Sequence, residues 1–277
     1  MSAIAIAAAL FSALIHARWM ALLKTGSDRL VDSALVAIGW TIVSLALIAL
    51  TGMPPRETWP ILIASGVVHA GYWAAMSKGY ESGDLSHVYT LSRGLAPVFV
   101  TLGGFLFLHE SLEPAAMFGI ATVCVGVLSV GASPNAPLRA TIWSLLTAVA
   151  IGGYSLIDAF GARQTGNPAL YLGWGTLLAA LPIIVFAIWR RGATTLLRAA
   201  QNDWMRGLSA GFISMLGYGM ILYAQTLAPV AQVAALREAS VVFGALIAWL
   251  FLKEKLGARR WAGACVVALG AVFIAFT

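Results

Sequence analysis

The chain has 277 residues, of which 60% are hydrophobic and 10% charged, against roughly 25% charged in an ordinary soluble domain. With a mean hydropathy of +0.88, the apolar residues exceed what one soluble core can hold, which excludes a water-soluble globule. The net charge of +6 does not imply nucleic acid, because the basic residues stand singly or in small groups between apolar runs, where they orient a membrane chain.

Taken in chain order, apolar runs broken by charge, Pro and Gly predict ten spans, at 3–23, 32–51, 59–79, 86–108, 113–131, 140–161, 169–189, 205–225, 230–252 and 259–276. Each is about 20 residues, the length that carries a helix across a roughly 30 Å hydrocarbon layer. The nine connections average about eight residues, too short for a soluble domain, so any chemistry happens inside the membrane. The first run has no Lys or Arg before Arg18 and is followed at once by a second run, which fits a first span rather than a cleaved signal peptide. Connections after odd-numbered spans carry Lys24, Arg29, Lys78, Arg139, Arg190, Arg191, Arg198, Arg206, Lys253, Lys255, Arg259 and Arg260, and those after even-numbered spans only Arg56 and Arg163. That bias predicts cytoplasmic odd connections and both termini outside, in a bacterial inner (plasma) membrane. Cys124 and Cys265 lie inside apolar runs with no CxxC, HExxH or His cluster, so they are expected to be small core residues. No metal, cofactor or disulfide is expected.

A shift of 144 positions lays LSRGLAPVFVTLGGFLFLHESL (91–112) over ALREASVVFGALIAWLFLKEKL (235–256). The identities from 92 to 131 include Arg93/Arg237, Glu110/Glu254, Gly119/Gly263 and Gly126/Gly270, pairs that apolar composition alone does not supply. The repeat unit is five spans, 1–135 and 136–277. Because five is odd, the second copy enters the membrane from the opposite side, and a pseudo-two-fold axis in the membrane plane relates the halves. The predicted fold is therefore an all-α integral membrane protein of ten transmembrane helices, arranged as two inverted five-helix repeats around a central cavity. Two such halves can open alternately to either side of a midplane site, which favours solute transport over catalysis.

The spans ending FLFLHESL and WLFLKEKL, with HARWMALLK (16–24) and APVAQVAALREASVVFGALIAWLFLKEKL (228–256), resemble the EamA family of the drug/metabolite transporter superfamily. The resemblance covers nearly the whole chain and is most specific in the ninth span; His109 and Ser111 replace the usual residues around Glu110. It implies a metabolite or amino-acid exporter, the aromatic amino-acid exporter branch being one candidate. Family members often place both termini in the cytoplasm, the opposite of what the loop charges predict.

Ionisable groups inside a span cost about 2.5 to 3.5 kcal/mol each on insertion scales, so they face a cavity or a partner. Arg93 and its mate Arg237 enter from opposite faces and could each take a substrate carboxylate or hold a gate; the bland alternative is snorkelling to the headgroups. Glu238 stands where the first copy has Gly94. It is the candidate for proton coupling or for a substrate amino group, and its partner is expected on another helix. Asp158 is expected at the interface. In span three, His69, Tyr72, Trp73 and Met76 fall on one helix face, a cavity wall able to stack on a ring or cover a cation. His16 and Trp19 in span one, with Tyr154, Trp174, Tyr218 and Gln232 from the second half, extend this set, whereas Trp40, Trp59, Trp204 and Trp261 are read as interfacial anchors. Close helix approach is expected at Gly94, Gly126, Gly263 and Gly270.

The function these residues favour is a secondary transporter that exports small metabolites, amino acids first, by alternating access. Its partners would be a small-molecule substrate and the lipid bilayer. Without GxxxxGK[ST] the chain hydrolyses no ATP itself, so a proton or solute gradient supplies the energy. The alternatives are efflux of cationic aromatic drugs, a membrane-embedded enzyme, for which no GxSxG, HExxH or paired aspartates are present, and a non-transporting membrane subunit.

Overall fold

The computed structural model describes residues 1–23, 28–131, 133, 135–250, 253 and 257–277. The side chain of Trp19, and Lys24, Glu254 and Lys255 among the sequence candidates, lie outside the described residues. Among the described residues, eleven α-helices follow in order: α1 Ala3–Leu23, α2 Arg29–Thr51, α3 Trp59–Ser82, α4 Leu85–Phe107, α5 Pro114–Gly131, α6 Leu138–Thr165, α7 Pro168–Arg191, α8 Ala193–Leu227, α9 Val230–Arg237, α10 Ser240–Leu250 and α11 Ala258–Ala275. Among the described residues, eight segments are long and apolar enough to cross a membrane, with α9 and α10 counted as one (Val230–Leu250). The first and third spans of the sequence correspond to α1 and to α3, the helix that carries His69, Tyr72 and Trp73.

Local chemistry fixes the helix ends. Asp28 accepts from the Leu30 and Val31 N–H groups, and Asn167 from Ala169 and Leu170, as N-caps do. Gly166 and Gly192, both with positive φ, end α6 and α7, a geometry that costs glycine nothing.

Two boundaries differ from the sequence expectation. The connection expected at 190–204 is largely helical: α8 starts at Ala193, and the non-helical backbone of Asp203 separates a first segment from the span. The expected ninth span is broken at Glu238 and Ala239. There the N–H groups of Glu238, Ala239, Val241 and Val242 bond three residues back, to Ala235, Leu236, Glu238 and Ala239, a tightened 3₁₀ turn of the kind that marks hinges and functional breaks.

The packing obeys the inverted repeat. α3 packs on α6 as α1 packs on α8, α4 packs on α6 as α9 and α10 pack on α1, and α2 packs on α8 as α7 packs on α3, while α2 meets α7 and α5 meets α11. Exchanging the halves maps each of these contacts onto its mate. At the α5–α11 crossing, a Cβ on Gly126 would meet the Gly263 carbonyl at 3.0 Å and one on Gly270 would meet that of Gly119 at 2.7 Å. The glycines thus let two backbones touch, the close approach membrane helices use in place of a hydrophobic drive. The α2–α8 crossing is as tight, a Cβ on Gly211 falling 2.7 Å from Gly39.

The outer surface is apolar, with Leu50, Phe107, Trp189 and Phe276 among its most exposed residues, whereas Ser65, Arg93, Asp158, Gln225, Gln232 and Glu238 are buried between helices. This is the arrangement a hydrocarbon solvent imposes. Cys124 is buried, but Cys265 is exposed, a correction to its expected place in the core: its face of α11 turns away from α5.

Candidate functional site: a charged and aromatic seam between the halves

Arg93 and Glu238 form the centre of the seam. Glu238 stands eight residues from the start of α9 and Arg93 eight from the start of α4. These helices enter from opposite faces, so at 1.5 Å per residue each lies about 12 Å deep, and the arginine stem closes the remaining distance. Arg93 Nε donates to Glu238 Oε2 at 3.1 Å and Arg93 Nη2 lies 2.8 Å from Glu238 Oε1, an ion pair with one aligned hydrogen bond. Both residues are buried, and the pair ties the first half to the second.

Each backbone is disturbed beside this pair. Pro97, inside α4, has no N–H to offer the carbonyl of Arg93 four residues back. The 3₁₀ turn at Glu238 and Ala239 does the equivalent in the second half. Next to the turn, the Arg237 guanidinium lies 5.8 Å over the Tyr218 ring, and its buried Nε has no hydrogen-bond partner among the described residues. His16 Nε2 and the Tyr89 hydroxyl lie 3.3 Å apart, joining α1 to α4.

Tyr218 leads from Arg237 to a second acid. Its hydroxyl donates to Asp158 Oδ2, while Asp158 Oδ1 accepts from Ser65 Oγ at 2.5 Å and from the Tyr171 hydroxyl at 2.9 Å. Asp158 is 2% exposed, which corrects its expected interfacial placement. Its face of α6 is closed by α3, α7 and α8, and three hydroxyls stand in for water. His69 Nε2 lies 3.9 Å from Asp158 Oδ2. The His69 ring stacks on Tyr154, centroids 4.2 Å apart at 22°, and Tyr72 meets Tyr154 edge-on at 5.6 Å. Trp73 continues the wall against Tyr72 at 5.6 Å and Trp40 at 6.4 Å. Trp40 is therefore interior rather than an interfacial anchor, its indole N–H donating to Ser214 at 2.6 Å.

A third cluster closes one end. Glu110 Oε1 pairs with Arg163 Nη2 at 2.8 Å, and Glu110 Oε2 accepts the Val230 N–H at 2.9 Å. Arg163 also donates to the carbonyls of Gln225 at 2.8 Å and Ala228 at 2.9 Å. The ends of α4, α6 and α8 and the start of α9 are thereby knotted, and the negative carboxylate sits at the positive N-terminus of α9.

Of the residues expected at the site, the structure brings His69, Tyr72, Trp73, Tyr154, Tyr218, Arg93, Arg237 and Glu238 into one seam, with His16 at its edge. It does not bring two others. Trp174 packs edge-on against Trp59 at 5.0 Å and donates to the Gly52 carbonyl at 3.0 Å, at the end of α2. Gln232 donates to Thr277 Oγ1 at 3.2 Å. Sequence reasoning missed Asp158, Ser65, Tyr171 and Tyr89. The available signal was an acid within the apolar run of α6 and the i, i+4 pair Ser65 and His69 on α3.

The chain is similar to known membrane transporters over almost all its length. The sequence profile of the EamA-like transporter family matches residues 3–132 and again 138–276. The pseudopaline exporter CntI of Pseudomonas aeruginosa is 26% identical over 266 residues, covering 93% of this chain and 90% of that protein. An uncharacterized transporter from Sinorhizobium sp is 31% identical over 130 residues, 43% of this chain and 91% of that protein. A solved crystal structure superposes with a TM-score of 0.80 at 16% identity, covering 98% of both chains, and shows the fold alone.

Proposed function

Because the chain belongs to the EamA-like transporter family, and so is a membrane transporter rather than an enzyme, we propose that it exports small zwitterionic metabolites, amino acids first, by alternating access. The observation that carries this reading is the Arg93–Glu238 ion pair, buried between the halves, in which Arg93 Nη2, like the neighbouring Arg237 Nε, has no hydrogen-bond partner among the described residues. A substrate carboxylate can replace Glu238 on Arg93, or add to Arg237, with little change in the number of charge-assisted bonds. Glu238, once released, is the group a substrate ammonium or a proton would satisfy, so binding and unlocking become one step. The wall of Tyr72, Trp73 and Tyr154 suits an aromatic or aliphatic side chain.

In this reading the units 1–135 and 136–277 rock against each other about the seam, with the broken α9–α10 span and the Pro97 site of α4 as the compliant positions. Both termini lie outside a bacterial inner membrane, and a proton or solute gradient supplies the energy. The aromatic wall next to Asp158 favours one further reading, efflux of a cationic aromatic compound.

The discriminating experiment is export from intact cells that express the protein. Cells loaded through dipeptides should accumulate amino acids outside faster than cells with Arg93→Gln, and should gain no resistance to cationic dyes. Equal amino-acid efflux from both strains, with resistance gained only by the wild-type strain, would reject the amino-acid reading in favour of drug efflux.

A further inference from the structure

The hydrogen bonds around Asp158 assign the protons of the whole cluster. His69 Nδ1 lies 3.0 Å from the Ser65 carbonyl, which can only accept, so Nδ1 carries a hydrogen. The same N–H is 3.2 Å from Ser65 Oγ, and Ser65 Oγ in turn donates to Asp158 Oδ1 at 2.5 Å. In the neutral imidazole the remaining nitrogen, Nε2, is then a bare lone pair. It faces Asp158 Oδ2 across 3.9 Å, too far for a hydrogen bond and with no hydrogen between the two atoms. Two acceptors set face to face inside a span are an incomplete site, and one proton completes it.

The geometry points to His69 Nε2 as a proton-binding site of the transport cycle, distinct from Glu238, with Asp158 as the counter-ion that holds the proton. This inference rests on the transporter reading and adds to it where the coupling proton sits. The surroundings fit an imidazolium from every packed element. From α3 itself come Ser65 and Tyr72, from α6 Asp158 and Tyr154, from α7 Tyr171, and from α8 Tyr218. The Tyr154 face lies against the ring at 4.2 Å, a stacking partner for a cation. Among the described residues, two cations face the cluster: Arg237 of α9, which meets it across the Tyr218 ring, and Arg93 of α4, which stands toward Tyr72 and Tyr154 with Glu238 as its counter-ion. His69 is 16% exposed, so its ring is not sealed off.

The proton arrives from solution on the lone pair of Nε2 and leaves by the same atom; no bond other than N–H forms or breaks. Its consequence reaches the ion pair through one side chain. Tyr218 donates to Asp158 with its hydroxyl and faces Arg237 with its ring, so an Asp158 that turns toward an imidazolium loosens its hold on Tyr218, the residue on which Arg237 rests. Arg237 directly precedes Glu238 at the helix break. Protonation on one side of the seam thereby acts on the Arg93–Glu238 lock on the other.

The test is a nitrogen-15 titration of the purified full-length protein labelled at histidine, with the His69 signals assigned by their loss in His69→Gln. His69 should switch from the neutral Nδ1–H tautomer to imidazolium as pH falls from 8.5 to 4.5. Asp158→Asn should weaken its proton binding about tenfold, one pH unit of midpoint, whereas Glu238→Gln, which reaches His69 only through Arg237 and Tyr218, should move the midpoint by less and leave the switch itself in place. If Asp158→Asn does not fold, Tyr218→Phe removes one of the carboxylate's hydrogen bonds without changing shape and should strengthen proton binding at His69. A His69 that stays neutral throughout, or a midpoint unmoved by both Asp158→Asn and Tyr218→Phe, would overturn the assignment. The titration needs no substrate, so its failure is separate from failure of the amino-acid reading.

Discussion

Glu238→Gln is the substitution whose cost the structure defines most directly. Arg93 keeps its charge and its buried position but loses the opposite charge 2.8 Å from its Nη2 and 3.1 Å from its Nε, the amide oxygen being able to keep only one of the two contacts. A buried ion pair adds little net stability, yet removing one partner strands the other charge at a cost of about 3 to 5 kcal/mol. With about 2 to 4 °C per kcal/mol for a chain of this size, the variant in detergent should unfold about 10 °C below wild type. Intrinsic tryptophan fluorescence during heating reads this. Arg93→Gln should cost a similar amount, and Arg93→Gln/Glu238→Gln should recover most of the loss, because two amides leave no stranded charge. A Glu238→Gln midpoint within about 2 °C of wild type, or a double variant whose loss is the sum of the single losses, would refute the assignment of this pair as the link between the halves.

Further outcomes are expected elsewhere. Gly126→Val should lower the unfolding midpoint by several degrees in the same assay, because its branches enter the α5–α11 contact where even a Cβ meets the Gly263 carbonyl at 3.0 Å, an overpacking cost of about 1 to 3 kcal/mol. Glu110→Ala should destabilise more than Glu110→Gln, since the amide oxygen can still accept the Val230 N–H, and the difference is read by the same fluorescence midpoint. At Asp28 burial pushes the carboxyl upward, but the Arg191 hydrogen bond and the N–H groups of Val31 and Leu30 hold it below its ordinary range. The folded form therefore gains stability above the unfolded carboxyl's range and loses it as pH falls through the lowered value. Asp28→Asn should flatten that acid limb, seen as a smaller drop in midpoint between neutral pH and pH near 3. Thr194→Cys and Asn202→Cys should be shielded from an impermeant thiol reagent in intact cells if the first segment of α8 is cytoplasmic; ready labelling would reverse the orientation.

The spans, the duplication and the charged positions were legible in the sequence because hydrocarbon solvent writes them there: each needs about 20 apolar residues, and an ionised group within one stands out. The pairing of Glu238 with another helix rather than with Arg237 also followed, from the 100° step between neighbours. What the sequence withheld is which faces meet. Asp158 lies near the end of its apolar run, and only the closing of α3, α7 and α8 over it makes it interior; Trp40 and Trp174 look alike as tryptophans near span ends, yet one faces Ser214 and the other the Gly52 carbonyl. The break at Glu238 and Ala239 carries no Pro or Gly, so local propensity gives no warning of it. Its position shows only once Arg93 is seen holding Glu238 from across the seam.

Counterflow in liposomes that contain the purified protein tests whether the Arg93–Glu238 seam is the path of a carboxylate-bearing substrate. A panel of labelled amino acids is offered with and without an imposed pH gradient. At least one should exchange through the wild-type protein, with exchange lost in Arg93→Gln and Arg237→Ala and gradient stimulation lost in Glu238→Gln. No exchange of any amino acid, or exchange that survives both arginine substitutions, would contradict it.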